Sequence, residues 1–212
     1  MKITKFEQSC LLVEMPAPVN RTALFDPGIM SKDSLKVDDL KFLDDIIVTH
    51  GHGDHFSLDI IKQLVTKFPL VRITATPEAV IELEKIGISA GSDPSNGISF
   101  FDSPHESVQP LFGSPQQFGV HYLDLLSHPG DSHSFAETKQ ILALPVTAPW
   151  GSTIKAINLA LELKPKYILP IHDWHWREEA RTQMYGAMEQ VFDKNGIKFI
   201  KLQTGEPVVL MV

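Results

Sequence analysis

Apolar and polar positions along this chain fall into short strand-like runs early and into helix-period stripes later. Residues 2–6, 10–14 and 22–25 read as strands, separated by Pro16, Pro18 and the turn at Asp26-Pro27-Gly28. In 45–49, Ile46, Ile47 and Val48 stand in succession, the pattern of a strand covered on both faces. Beyond it, Ile61, Leu64, Val65 and Phe68 line one face of a helix. Thr76-Pro77-Glu78 opens another, with a capping hydroxyl, a proline in the first turn and an early acid. Residues 87–118 are rich in Gly, Ser and Pro and read as one long irregular stretch, a kind of segment that more often rims an active site than spaces two elements.

Strand patterns resume at 120–126 and 140–144. Ser152 can cap a helix whose face includes Ile154, Ile157 and Leu161, and Tyr167–Ile171 is another buried strand. A last helix places Met184, Ala187, Met188 and Val191 on its buried side, and strands at 198–201 and 207–211 follow. Strands first and strand–helix alternation later predict an α/β (α+β) chain of sheets covered by helices, most simply one domain over 1–212.

Composition narrows the function classes. The 212 residues are 43% hydrophobic and 21% charged, an ordinary globular balance that rules out a disordered or fibrous chain. A net charge of −7 argues against a broad polyphosphate-binding face. The opening residues lack the charged-then-apolar pattern of a secretory signal, and no run is long enough to span a membrane; the cytoplasm is the default expectation. Cys10 is the only cysteine, which excludes an internal disulfide and a thiolate cluster, and its apolar neighbours mark it as a core residue.

Chemistry concentrates in THGHGDHF, residues 49–56, where a strand gives way to a helix. Zinc takes imidazole and carboxylate when no thiolate is at hand. His50 and His52, two positions apart on extended backbone, project to the same side and can grip one ion. Asp54 and His55 lie where the chain turns and can face a neighbouring ion, and Gly51 and Gly53 let the backbone bend without crowding. A solvated histidine-rich turn is the bland alternative; a buried strand before the cluster and a helix after it weigh against that.

His50-x-His52-x-Asp54-His55 resembles the signature of the metallo-β-lactamase superfamily. Further matches are His105 in Ser-Pro-His-Glu, Asp131 in His-Pro-Gly-Asp-Ser, His172 in Pro-Ile-His, and the early Asp26 in Leu-Phe-Asp-Pro. The resemblance spans nearly the whole chain, and Gly-Asp-Ser and Pro-Ile-His are most similar to the uncharacterised metal-dependent hydrolases and the ascorbate-6-phosphate-lactonase-like branch. It implies a four-layered αβ/βα sandwich. It also implies a first metal on His50, His52 and His105, a second on Asp54, His55 and His172, Asp131 bridging, and Asp26 supporting the ligands from behind.

The implied cofactor is a pair of divalent ions, zinc foremost, with manganese or iron as alternatives. The implied reaction is hydrolysis of a small ester, lactone or phosphoester by water activated between the ions. Asp54, Asp131 and His175 are the catalytic candidates; His175, in Asp173-Trp174-His175-Trp176, would donate a proton to the leaving group. The two tryptophans either wall a substrate pocket or pack the last helix on its sheet, and Asp173 either orients a ligand or caps that helix. His121 reads as structural, His128 as a residue lining the cleft or bonding a ligand, and His133 as a surface or rim residue.

A small-molecule substrate is expected, without nucleic acid or membrane, and homo-oligomerisation stays open. A phosphodiesterase or nuclease of the same superfamily is the nearest alternative, though the segment between Asp131 and His172 is too short for a nucleic-acid-clamping domain. An iron-dependent redox enzyme and a non-catalytic metal-binding scaffold are alternatives from other classes.

Overall fold

A computed structural model describes residues 1–111 and 113–211. The chain divides into two compact units: Met1–Pro94 with Pro115–Gln117 and Leu202–Val212, and Ser95–Ser114 with Phe118–Lys201.

The first unit is built on β1 (Lys2–Lys5), β2 (Leu11–Met15), β3 (Arg21–Phe25), β4 (Asp45–Val48), α1 (Leu58–Lys67), β5 (Arg72–Ala75) and α2 (Pro77–Glu84). Its six-stranded sheet runs in order from the C-terminal strand Pro207–Val209 through β1, β2, β3 and β4 to β5. Pairing is antiparallel up to β3 and parallel from β3 to β5. That switch reflects connection length: the turns between the first strands return the chain directly, whereas the long segment 26–44 carries it across between β3 and β4, and α1 does so between β4 and β5. Ile60, Ile61 and Leu64 of α1 pack with Leu24, Ile46, Val48 and Ile73 in one apolar cluster. Ser57 caps α1 by accepting from the Ile60 amide. At α2, Thr76 holds the cap position with extended backbone but makes no side-chain cap hydrogen bond, so Pro77 rather than the hydroxyl starts that helix.

The second unit contains β6 (Ile98–Phe101), β7 (Gly119–Tyr122), β8 (Leu126–His128), β9 (Ile141–Pro145), α3 (Thr153–Leu163), β10 (Tyr167–Ile171), α4 (Glu178–Asp193) and β11 (Lys198–Phe199). Its sheet runs β11-β10-β9-β8-β7-β6, parallel from β8 to β11 and antiparallel at β6 and β7. Ala156 and Ala160 of α3 and Tyr185, Met188 and Phe192 of α4 join Leu142, Leu144 and Ile168 in its core.

Several sequence expectations shift here. The stretch 87–118 is not wholly irregular, because it contains β6. The run at 120–126 is two strands, turned at Leu123 and Asp124, both with positive φ. On α3 the buried face is Ala156 and Ala160, while Ile154 is 66% exposed; the small side chains let the helix sit close to its neighbours, a preference that apolarity alone does not reveal. The buried face of α4 is likewise rotated, with Tyr185 and Phe192 inside and Ala187 exposed. Among the described residues no helix is long and apolar enough to cross a membrane.

Candidate metal centre

Within each unit the residues of interest lie just past the C-terminal ends of parallel strands, where open α/β sheets present ligand sites. Asp26 follows β3, His50 to His55 follow β4, Asp131 follows β8, and His172 follows β10.

In the first unit, the 49–57 turn is laced to the loop after β3. The Ile29 amide donates to Gly53 O at 2.8 Å and the Ser57 amide to Pro27 O at 3.1 Å. His55 and Phe56 both donate to His52 O, which closes the turn. Asp26 is fully buried in the left-handed region (φ 43°) and anchors the assembly. Its Oδ1 accepts from the Thr49 amide at 2.8 Å, and its Oδ2 accepts from the Thr49 hydroxyl at 2.8 Å and from His55 Nδ1 at 2.7 Å. A strained backbone held by three hydrogen bonds is typical of functional loops. Asp26 thus ties His55 to the Thr49 end of β4.

These bonds set the tautomers. His55 Nδ1 gives its proton to Asp26, so Nε2 looks the other way, 3.5 Å from Asp54 Oδ2. The Thr49 hydroxyl donates to Asp26, so its oxygen accepts from His50 Nδ1 at 3.2 Å. The His50 ring centroid lies 5.0 Å from that of His52 and 4.0 Å from that of His55. One residue that the sequence reading missed belongs here: Gln8, buried in the turn between β1 and β2, donates its side-chain amide to Asp54 Oδ2 at 2.9 Å. Nothing in its local sequence distinguishes it from any other polar turn residue.

In the second unit, His105 lies beyond β6 on a segment pinned to the Asp131 turn. Ser103 Oγ donates to Pro129 O at 2.7 Å and the Glu106 amide to Asp131 O at 2.9 Å. The Glu106 carboxylate accepts from Ser134 Oγ, Lys155 Nζ and the His133 amide at 2.6, 3.1 and 3.0 Å. Burial alone would raise its pKa, but these donors outweigh burial and hold it below the usual glutamate range. Asp131 is buried; its Oδ2 lies 3.2 Å from His172 Nε2 and 3.7 Å from His105 Nε2. His172 has positive φ (62°), and its Nδ1 donates to Thr147 O at 2.8 Å, as His105 Nδ1 does to Glu106 O at 2.6 Å. A second missed residue, Trp150, donates its indole N–H to Asp131 Oδ2 at 3.1 Å.

The remaining histidines sort by burial. His121 is structural as expected, stacked on Phe101 with Nδ1 2.9 Å from Ser127 Oγ. His128 is buried and accepts from the Gly130 amide, which shapes the turn before Asp131. His133 is not a surface residue: it is 5% exposed and bonds Pro145 O at 2.7 Å. His175 is exposed, with Nε2 3.4 Å from Thr147 Oγ1. Trp176 packs against Tyr185, which is the packing role considered for it, whereas Trp174 is half exposed. Asp173 is buried and bonded by Tyr185 and Arg181 and does not cap α4, whose N-cap position is Arg177, without a side-chain cap bond.

Do these donors suit a metal? A carbonyl oxygen only accepts, so Nδ1 of both His105 and His172 carries a proton. Their Nε2 atoms lie 3.7 and 3.2 Å from a carboxylate oxygen, a pairing that either a proton or a metal cation between them satisfies. Imidazole and carboxylate without thiolate is a donor set for zinc, manganese or iron, and nitrogen tautomers fixed from behind are the usual support of such ligands. The residues fit.

Comparison with known proteins agrees. The model of the beta-lactamase superfamily domain matches residues 2–172. The UPF0173 metal-dependent hydrolase of Carboxydothermus hydrogenoformans is 28% identical, with 99% of this chain and all of that protein covered. A UPF0173 metal-dependent hydrolase of Pyrococcus horikoshii is 24% identical over 74% of this chain and 79% of its own length. Among solved structures, the metallo hydrolase Igni18 of Ignicoccus hospitalis superposes with a TM-score of 0.72 at 20% identity, covering 100% of this chain and 98% of its own. The chain belongs to the metallo-β-lactamase superfamily. Its mixed α/β fold, with two six-stranded sheets and their helices, is the fold expected from that resemblance.

Proposed function

We propose that this protein uses a dinuclear metal centre to hydrolyse a small ester, lactone or phosphoester. At the level of class it is a metal-dependent hydrolase, as are the relatives it matches. The finer reading assigns His50, His52 and His105 to one ion, Asp54, His55 and His172 to the other, and Asp131 to both, with zinc as the first candidate metal. Bound metal would supply two things: it acidifies water to a pKa of about 7, and it polarises the substrate oxygen. The chain's own residues do the rest. Asp26 fixes which nitrogens of His50 and His55 face outward, Gln8 holds Asp54, and the carbonyls of Glu106 and Thr147 fix His105 and His172. His175 stands beside Thr147 as the group that exchanges a proton with the leaving oxygen. Partial burial and the nearby His172 hold its pKa below the usual histidine range.

The observation that carries this reading is the convergence of two Nδ1-protonated imidazoles on one buried carboxylate, Asp131. The test is metal content by mass spectrometry, then turnover of an aryl ester, a lactone and a phosphodiester by wild type and Asp131→Ala. Wild type should hold two ions per chain and turn over at least one substrate. The variant should lose metal and activity together while keeping a folded circular-dichroism spectrum. Metal and activity retained in Asp131→Ala would overturn the assignment.

A further inference from the structure

Apart from the two tryptophans flanking His175, Trp150 sets its indole against a proposed ligand. We infer that Trp150 is a positioning residue for Asp131: its N–H holds Oδ2 and thereby sets the orientation in which the carboxylate meets the metal. This rests on Asp131 being a metal ligand.

The chemistry of the donor matters. An indole N–H donates and never accepts, so Trp150 cannot compete with Asp131 for a cation. It is also uncharged: unlike a lysine or arginine in its place, it restrains the carboxylate without spending the negative charge that attracts the ion. The bond of 3.1 Å falls on the same oxygen that faces His172 Nε2 at 3.2 Å.

The ring is held in place by its surroundings. Ala148 and Gly151 exchange backbone hydrogen bonds of 3.4 and 3.2 Å across a tight turn that carries Trp150. That turn lies on the His133 imidazole, so close that a Cβ at Gly151 would come within 2.8 Å of the ring. His133 is in turn tied to the end of β9 through Pro145 O. Trp150 meets His133 and His172 edge-on, with centroids 5.1 and 5.4 Å apart. This explains why His133 is buried although it holds no proposed metal: it is the bed for the turn that presents the indole.

Trp150→Phe keeps a ring in the same place and removes only the N–H. Zinc affinity, read by competition with a chromophoric chelator, should fall roughly 10–100-fold, the usual effect of losing a partner behind a metal ligand. The thermal midpoint of the metal-free variant should fall modestly, because buried Asp131 loses a donor while the edge contacts remain. Asp131→Ala is the control. If it binds zinc as wild type does, the ligand assignment itself fails; if it loses zinc while Trp150→Phe does not, only the positioning role fails. A measurement on the native ring covers the case in which Trp150→Phe does not fold. The three indole N–H resonances, assigned with Trp174→Phe and Trp176→Phe, should show that of Trp150 moving upfield in metal-free Asp131→Ala. An unmoved resonance overturns the inference.

Discussion

Replacing Gly28 by alanine should damage the first unit out of proportion to one methyl group. Gly28 has φ −80° and ψ 169°, so conformation is no obstacle to a side chain. Space is the obstacle: a Cβ would lie 1.8 Å from Asp54 O, 2.0 Å from Asp54 C and 2.5 Å from His55 N. Ordinary contact begins near 3.4 Å, so the Asp54 backbone must retreat by about 1.6 Å, the difference between 3.4 and 1.8. Such a movement breaks the two hydrogen bonds that lace the loops, Ile29 to Gly53 and Ser57 to Pro27. At about 0.5–1.5 kcal/mol for each bond and about 1–3 kcal/mol for overpacking, the loss is roughly 2–6 kcal/mol. For a chain of this size the thermal midpoint of metal-free protein should fall by roughly 5–20 °C, and metal content should fall with it because Asp54 and His55 are displaced. A Gly28→Ala protein that melts within about 2 °C of wild type and carries a full metal complement would refute the packing argument.

Other expectations are quicker to state. Asp26→Asn puts an amide where one carboxylate oxygen accepts from both Thr49 and His55; stability should fall by about 1–3 kcal/mol and metal affinity with it, read by chemical denaturation and chelator competition. Tyr185→Phe removes a donor from buried Asp173, which keeps Arg181; a loss of about 1–3 kcal/mol should lower the melting midpoint without changing metal stoichiometry. Burial lowers the pKa of His121 from 6.5, so the folded state resists a proton that the unfolded chain accepts. Its contribution is therefore complete above pH 6.5 and is lost as pH falls through the lowered folded value; melting midpoints of metal-free wild type and His121→Gln at pH 7.5 and 5.5 should show the shallower decline in the variant. His175→Gln should lower kcat at unchanged metal content, and an unchanged pH–rate profile would remove His175 from the reaction.

The six-residue cluster from His50 to His55 could be read directly because its meaning is local: alternate positions on extended backbone share a side, whatever the rest of the chain does. The strand at Tyr167–Ile171 and the Ser152 cap were legible for a similar reason, since a continuous apolar run and a hydroxyl at a helix start need no distant partner to be recognised. The order of the histidines and aspartates along the chain was enough to place the superfamily.

What tertiary structure decided is everything that depends on distance between residues far apart in sequence. Gln8 meets Asp54 across 46 positions and Trp150 meets Asp131 across 19, and neither stands in a pattern that marks it. Helix faces were misjudged where fit outweighed hydrophobicity: α3 buries alanines and exposes Ile154 because a close approach rewards small side chains. His133, polar and flanked by serines, was assigned to the surface, yet the fold buries it by giving it a backbone carbonyl. Sequence determines which groups are available and what they bond to locally; only folding determines which of them meet, because burial and hydrogen-bond satisfaction are settled by the whole set of neighbours at once.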